Sequence, residues 1–306
     1  MNVLVLGGNG FIGSHLVDEL LISGHSVRIF DRFPEKFRSP LPKVDYRTGL
    51  FGDAFGMAEA LQDIEVVYHL ISTTVPGTSN LDPVADINDN LIATVVLLDQ
   101  MLKMGIKRIV YLSSGGTVYG RPHKLPIPED HPLNPICSYG VVKVAIENYL
   151  KMYQELYGLQ PTIIRPSNPF GPRQGHGGVQ GVIATFIAEI FRNKPIKIWG
   201  DGSVIRDYLS IKDLVRLCVI VGDGDYSGIF NAGNGRGISV ATIIELLKDV
   251  TGTLPSVSYE PSRAFDVKEV VLDISHTKAV TGWHPNVDFA DGLQQHWDWY
   301  SSLPQH

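Results

Sequence analysis

The chain is predicted to fold as an α/β protein: a Rossmann-type, doubly wound parallel sheet followed by a smaller C-terminal α/β domain. Three observations predict this. Short apolar runs of strand length alternate with amphipathic stretches of helix length as far as Pro166, the order that a parallel sheet with crossover helices requires. The first of these runs ends in a cluster of glycines that opens a helix. Beyond Pro166 the rhythm lapses into a glycine-rich stretch, Gly171–Gly181, and shorter pieces. The expected domains are therefore 1–166 and 167–306, with chain returning to the first at about 205–221.

Asn2-Val3-Leu4-Val5-Leu6 is a short, β-branched, apolar run that reads as a buried parallel strand. Gly7-Gly8-Asn9-Gly10-Phe11-Ile12-Gly13 follows, and then a helix over Ser14–Ser23 that stops at Gly24. Gly7 allows the tight turn, Gly10 lets backbone approach a pyrophosphate, and Gly13 permits close helix–strand packing. Phe11 and Ile12 lie at the helix N-terminus, whose amides and dipole favour phosphate. The second strand, Ser26–Phe30, ends at Asp31, about twenty residues on, where an acid can bind an adenosine ribose. Strand, glycines, helix, strand and acid in this order predict dinucleotide binding. Asp31 repels a 2′-phosphate and so favours NAD over NADP; Arg32 beside it can accept that phosphate or simply stand in water.

Further along, Glu65–Ile71 reads as a strand, Asp89–Met104 as a helix, Arg108–Ser113 as a strand, Tyr139–Tyr157 as a helix and Thr162–Arg165 as a strand. Five prolines between Arg121 and Pro135 mark an ordered loop over the approach to Tyr139. A helix is expected over Val182–Arg192. Tyr139 and Lys143 share one helix face at i and i+4. An ammonium near a phenol favours the phenolate, whose free pKa is ~10. Such a phenol can take a proton from a sugar hydroxyl as hydride leaves the same carbon.

Net charge is −6, which argues against a nucleic-acid partner. Cys137 and Cys218 form neither a disulfide framework nor a metal cluster, and the ten histidines lack metal-ligand spacing, so no metal is expected. No signal peptide is expected before the first strand, and no apolar run reaches the ~20 residues of a membrane span. The expected location is the cytoplasm.

These motifs resemble the extended short-chain dehydrogenase/reductases, and among them the NAD-dependent nucleotide-sugar epimerases of the UDP-glucose 4-epimerase type. Besides the glycine turn and Tyr139/Lys143, the resemblance rests on Ser113-Ser114-Gly115-Gly116-Thr117-Val118-Tyr119-Gly120, on Arg165-Pro166-Ser167-Asn168-Pro169-Phe170-Gly171-Pro172-Arg173-Gln174, on Gly200–Tyr208 and on Gly282-Trp283-His284-Pro285. It implies that Tyr139 takes the proton of the sugar 4-hydroxyl while hydride passes to NAD. The 4-keto sugar then turns over and is reduced on its other face. Lys143 would hold the nicotinamide ribose and keep Tyr139 acidic. The resemblance also implies a hydroxyl that bridges substrate O4 and the tyrosine, but its usual position is Gly115. Thr117, or Ser114 close behind it, must then serve.

The same loop bears on the reaction. The 4,6-dehydratases of this family carry Asp-Glu at the positions of Gly116 and Thr117, and sugar-acid decarboxylases carry Glu at the latter. Neither carboxylate is present, which leaves C4 epimerisation ahead of those reactions, of a keto-sugar reductase and of a non-catalytic NAD-sensing protein. The resemblance places Leu70, Asn90 and Ser113, with Thr94, beside the cofactor. It assigns Arg206 and Arg263 to the substrate diphosphate, Asp266 to its ribose, Asn168 to diphosphate or sugar and Gln180 to the nucleobase. Leu50 stands where an adenine-binding Asp is common, and His69 reads as a satisfied strand-end residue. Val270 aligns with a gatekeeper beside the sugar C2 substituent and leaves room for N-acetyl, although it can equally be core. The expected substrate is a UDP-hexose or UDP-N-acetylhexosamine. Family members pair through the helix of Tyr139 and the long helix before it, where Val95, Val96, Leu98 and Met101 offer an apolar face that fits a dimer or burial within one subunit; a homodimer is expected.

Overall fold

The computed structural model describes residues 1–175, 181–261 and 267–304. In chain order its first half contains β1 (Asn2–Leu6), α1 (Phe11–Ile22), β2 (Ser26–Asp31), β3 (Val44–Thr48), α2 (Ala54–Ala60), β4 (Val66–His69), α3 (Pro83–Asp86), α4 (Ala93–Lys103), β5 (Arg108–Leu112), α5 (Ser138–Tyr157) and β6 (Gln160–Pro166). The second half contains β7 (Asn168–Phe170), α6 (Val182–Phe191), β8 (Ile196–Trp199), β9 (Ile205–Ser210), α7 (Ile211–Asp223), β10 (Gly228–Ala232), β11 (Gly237–Ser239), α8 (Val240–Thr251), β12 (Val257–Glu260), β13 (Glu269–Val270), α9 (Ser275–Thr281) and α10 (Phe289–Ser301).

Seven strands form one sheet in the order β10-β6-β5-β4-β1-β2-β3. From β6 through β3 every pair is parallel. β1 and β2 pair from Asn2↔Ser26 to Leu6↔Phe30, and β1 and β4 from Val3↔Val66 to Leu6↔His69. Strand order reverses across β1, and in such sheets ligands bind beyond the carboxyl ends of the strands at that switch. The strands are apolar runs because helices cover them: Leu4, Leu6, Phe30, Val67, Ile109 and Ile163 join Leu97, Leu98, Met101, Ile146 and Leu150 in one buried cluster.

Two compact units make up the chain. Unit 1 is Met1–Gly120, Pro132–Arg165 and Val215–Phe230; unit 2 is Arg121–His131, Pro166–Leu214 and Asn231–His306. Unit 1 thus regains chain at Val215–Phe230, later than the 205–221 expected, and the proline-rich Arg121–His131 belongs to unit 2. Within unit 2 that segment is held by Ile127 N donating to Val271 O (2.8 Å) and Asn231 Nδ2 donating to Ile127 O (2.9 Å). Unit 2 has its own core, in which Phe170, Ile187, Ile196, Tyr208, Ile243 and Leu293 are buried together. Its strands are short: β9 carries β7, β11 and β13, while β8 pairs β12. The terminal Gly-Trp-His-Pro segment is fixed to α7, since Trp283 Nε1 donates to Asp213 O at 3.0 Å and the Asp213 carboxylate accepts from the amides of Asn286 and Val287, both at 3.0 Å.

Several expected boundaries move. The helix placed at Asp89–Met104 is entered at Pro83, capped by Asp82, whose carboxylate accepts from Ala85 N at 3.0 Å. An Asp cap with Pro at the first helical position is a start signal. The chain then passes through a π-helical turn, Ile87–Ile92, before α4; such turns frequently mark functional sites. The long helix starts at Ser138, the strand placed at Thr162–Arg165 runs from Gln160 to Pro166, and that placed at Glu65–Ile71 is Val66–His69. Of the apolar face that could serve a dimer or be buried within one subunit, Leu98 and Met101 are fully buried in the unit 1 core. Among the described residues no helix is long and apolar enough to cross a membrane.

Candidate functional site

The glycine turn is built as its sequence demands. Gly7 has φ +82°, a left-handed conformation that favours glycine, and its amide donates to Phe30 O at 2.9 Å. A Cβ on Gly13 would overlap the Gly7 carbonyl, so helix α1 can sit this close to β1 only without one. Helix α1 opens with no side-chain cap at Gly10, which leaves the Phe11, Ile12 and Gly13 end without an internal side-chain acceptor. Asp31 at the end of β2 is buried, and its carboxylate accepts from Asn9 N and Phe33 N, both at 3.0 Å. Arg32 lies over the Phe33 ring, 4.6 Å from its centroid. A cavity of about 600 Å³ in unit 1 is lined by Gly7, Gly10, Asp31, Arg32, Leu50, Phe51, Leu70 and Thr73. Its dimensions, the missing Cβ atoms and the uncapped helix end suit a dinucleotide. Leu50 lines this cavity with 68% of its surface exposed.

Asn90 is buried and its amide is spent inside the protein. Oδ1 accepts from Thr73 N (2.9 Å), while Nδ2 donates to Thr73 Oγ1 (2.8 Å) and Asp86 Oδ1 (2.9 Å). It therefore braces the turn after β4, and that turn lines the cavity. Thr94 donates to Asn90 O at 2.6 Å and partners His69 Nε2 at 2.9 Å. Since the threonine proton goes to Asn90, His69 carries its own on Nε2. Burial, with Lys143 adding to it, pushes His69 down to about 3, so the imidazole is neutral.

Tyr139 and Lys143 project from the first turns of α5. The start of this helix is fixed from outside: Ser138 N donates to Asn80 Oδ1 at 2.8 Å, and Ser138 Oγ to Asp86 Oδ2 at 2.7 Å. Lys143 is buried; its Nζ donates to Leu112 O at 2.8 Å and lies 5.5 Å from the Tyr139 ring centroid and 4.8 Å from that of Tyr111. Burial pushes the ammonium down to about 8, opposed by Glu147 and Asp86. The expected acidic phenol is corrected here. Burial pushes Tyr139 up to about 12, Cys137 and Asp86 add to the rise, and only a hydrogen bond with Ser114 opposes it. The lysine points at a carbonyl rather than at the phenol oxygen.

The loop after β5 settles the geometry of its hydroxyls. Ser114 is paired with Tyr139, whereas Thr117 Oγ1 is buried with no partner among the described residues. Ser113 Oγ donates to Glu147 Oε1 at 2.5 Å. Three residues of this wall, Asp86, Glu147 and Arg165, were given no role on sequence grounds. A carboxylate at i+4 from Lys143, amid Val142, Ile146 and Leu150, was the available signal for Glu147.

In unit 2, Arg206 on β9 and Asn168 on β7 line one cavity of about 300 Å³ with Gln174, Lys197, Trp199 and Tyr208. Asn168 Nδ2 donates to Asp207 O at 2.8 Å. Val270 is buried and sits opposite Arg206 in the β13–β9 register. Gln180, Arg263 and Asp266 lie outside the described residues.

Comparison with known proteins agrees with these observations. The profile of the NAD dependent epimerase/dehydratase family matches residues 3–233. The UDP-glucose 4-epimerase of Mycolicibacterium smegmatis is 34% identical over 314 residues, covering 100% of both chains. Among solved structures, the UDP-glucose 4-epimerase of Thermotoga maritima with UDP-glucose superposes with a TM-score of 0.94 at 34% identity, covering 98% of this chain and 99% of that one. The UDP-glucose 4-epimerase of Thermus thermophilus in complex with NAD gives 0.93 at 30% identity, covering 99% and 100%.

Proposed function

The chain belongs to the NAD dependent epimerase/dehydratase family and is an NAD-dependent nucleotide-sugar epimerase, and we propose that the groups described above invert C4 of a UDP-hexose or UDP-N-acetylhexosamine. The observation that carries this reading is the arrangement on α5: Tyr139 bonded to Ser114, and a buried Lys143 one helical turn on, in the unit that bears the glycine turn.

When bound, NAD supplies the acceptor and then the donor of the C4 hydride, and a positive ring charge that lowers a neighbouring phenol. The residues that would hold it are Gly7, Gly10, Asp31, Arg32 and Leu70 of the cavity, the helix end at Phe11, Ile12 and Gly13, and Ser113, with Asn90 bracing Thr73. Tyr139 accepts the proton of the sugar 4-hydroxyl and later returns it to the opposite face of the 4-keto sugar. Ser114, already bonded to Tyr139, is the assisting hydroxyl in place of the missing one at Gly115; Thr117, whose buried Oγ1 has no partner among the described residues, is the alternative. Lys143 supplies positive charge behind the phenol. Its pKa of about 8 leaves it mostly protonated at neutral pH, where that charge is useful.

Arg206 and Asn168 take the substrate diphosphate in unit 2, with Gln180, Arg263 and Asp266 assigned to nucleobase, phosphate and ribose. A bidentate guanidinium suits phosphate. Val270 leaves room for a 2-acetamido group. Two copies associate through the outward apolar stripe of the π turn, α4 and α5, where Ile92, Val96, Val141, Met152 and Leu156 are exposed. Incubation of the purified chain with UDP-glucose, UDP-galactose, their N-acetylamino counterparts and UDP-glucuronate tests the reading. It predicts interconversion of C4 epimers without net reduction of cofactor. Stoichiometric oxidation of NADPH with no epimer formed would select a keto-sugar reductase instead.

A further inference from the structure

Helix α5 meets the end of β5 at three points spaced four residues apart. Tyr139 pairs with Ser114, Lys143 Nζ donates to the Leu112 carbonyl at 2.8 Å, and Glu147 Oε1 accepts from Ser113 Oγ at 2.5 Å. Residues at i, i+4 and i+8 follow one helix face, so the rungs grip three consecutive residues, the last of β5 and the first two of the loop after it. Of these rungs only the third lacks a place in the chemistry.

That rung is a fully buried carboxylate, and Arg165 on β6 closes on it from the other side. Nε donates to Oε1 at 3.0 Å and Nη2 to Oε2 at 2.6 Å, with side-chain exposures of 1% and 0%. Arg165 Nη1 also donates to the Tyr119 hydroxyl at 3.0 Å, and the guanidinium lies 4.9 Å from the Tyr119 ring centroid. Both ends of the turn from Ser113 to Tyr119 therefore terminate on one ion pair, with Ser114 between them. Buried ion pairs contribute little net stability compared with apolar residues of similar volume; what this one fixes is the placement of a loop.

We propose that Glu147, backed by Arg165, is a positioning residue of the epimerisation: it sets the Ser114 hydroxyl against Tyr139 and keeps the Lys143 ammonium charged. This rests on the epimerase reading above. Lys143 faces Asp86 from α3, His69 from β4, Tyr111 from β5, and Tyr139 and Glu147 along its own helix. His69 and the two tyrosines are neutral, so Glu147 and Asp86 are the anions that oppose the cost of burying the ammonium.

The test uses the full chain with NAD bound. Glu147→Gln is expected to lower kcat for C4 inversion about 100-fold with KM changed less than about threefold. It should also move the basic limb of kcat about one pH unit lower, because Lys143 loses its proton sooner without the neighbouring anion. Ser113→Ala removes the rung but no charge; it should cost about tenfold in kcat and leave that limb in place. If Glu147→Gln alone fails to fold around the unpaired arginine, the double change Glu147→Gln with Arg165→Gln removes both charges. A folded double variant, or Ser113→Ala, with wild-type kcat would overturn the proposal. Should the wild-type chain turn over no UDP-sugar, the epimerase reading fails by itself. The phenolate titration of Tyr139, read without substrate as absorbance against Tyr139→Phe, then decides the proposal: a rise of its pKa in Ser113→Ala, which loosens the Ser114 bond without removing a charge, supports it and an unchanged curve overturns it.

Discussion

Unit 1 and unit 2 hold their candidate site residues in different ways. In unit 1 the groups stand on long regular elements, and their polar atoms are tied to one another in the interior: Lys143 to Leu112, Glu147 to Ser113 and Arg165, Asn90 to Thr73 and Asp86. In unit 2, Arg206 sits half-buried on a six-residue strand and shares its cavity with Trp199, whose surface is 45% exposed. Proton transfer requires atoms held within a few tenths of an ångström in a dry environment, whereas capture of a diphosphate requires cations that reach water until the ligand arrives. Substitutions in unit 1 should therefore act on kcat, and those in unit 2 on KM.

Tyr139→Phe is the severest trial of that division. It should reduce kcat by about 10³-fold or more while NAD and UDP-sugar still bind within a few-fold of wild type. The readout is the initial rate of epimer formation set beside cofactor binding by fluorescence. Undiminished turnover would dismiss the phenol, and with it the mechanism.

Lys143→Met separates function from stability within unit 1. Burial lowers the folded-state pKa from 10.5 to about 8. A lowered amine pKa contributes stability that is complete above 10.5 and is lost as pH falls through 8. At neutral pH the ammonium therefore costs roughly 3 kcal/mol relative to its unfolded state. Turnover should fall about 100-fold. The melting temperature of the wild-type chain should climb relative to that of Lys143→Met as pH rises from 8 to 10.5. Parallel melting curves across that range would show that the ammonium is not buried at such a cost.

On the other side of the comparison, Arg206→Met should raise KM for the UDP-sugar about 10- to 100-fold with kcat altered less than about threefold. A kcat effect as large as the KM effect would mean that unit 2 also positions reacting atoms, and the division between the two units would fail.

How far the sequence spoke follows the same line. The glycine turn, β2 ending at Asp31, and the Tyr139/Lys143 face were legible because each depends on local backbone geometry or a fixed helical period. Asp86 escapes a reading that starts the helix at Asp89, and its contact with Ser138 is a tertiary one between two helices that no local spacing reveals. The pairing of Ser114 with Tyr139 was not legible because spacing along an irregular loop does not reveal where a hydroxyl points. The acidified phenol was misjudged for a related reason: i,i+4 spacing brings Lys143 near Tyr139, but a carbonyl at the end of β5 competes for the ammonium, and burial outweighs what remains. In unit 2 the strands have two to six residues, too few for a period to register.

The smallest effect concerns a surface. On α5, Val141, Tyr149, Met152 and Leu156 are exposed at spacings that follow one helix face, and Ile92 and Val96 are exposed on the π turn and α4. An apolar stripe this long on a water-facing helix carries a solubility cost unless it is covered. A second copy of the chain covers it in the proposed dimer. Leu156→Glu, at a position 63% exposed, should leave the fold of the subunit intact, since surface changes usually alter stability by less than about 0.5 kcal/mol. It should nonetheless shift sedimentation from dimer to monomer. Because the stripe lies on the helix that bears Tyr139 and Lys143, the residual activity of that monomer shows whether the partner helps to hold α5 in place. A chain that sediments as a monomer before the change would remove the dimer from the proposal and leave the chemistry of α5 untouched.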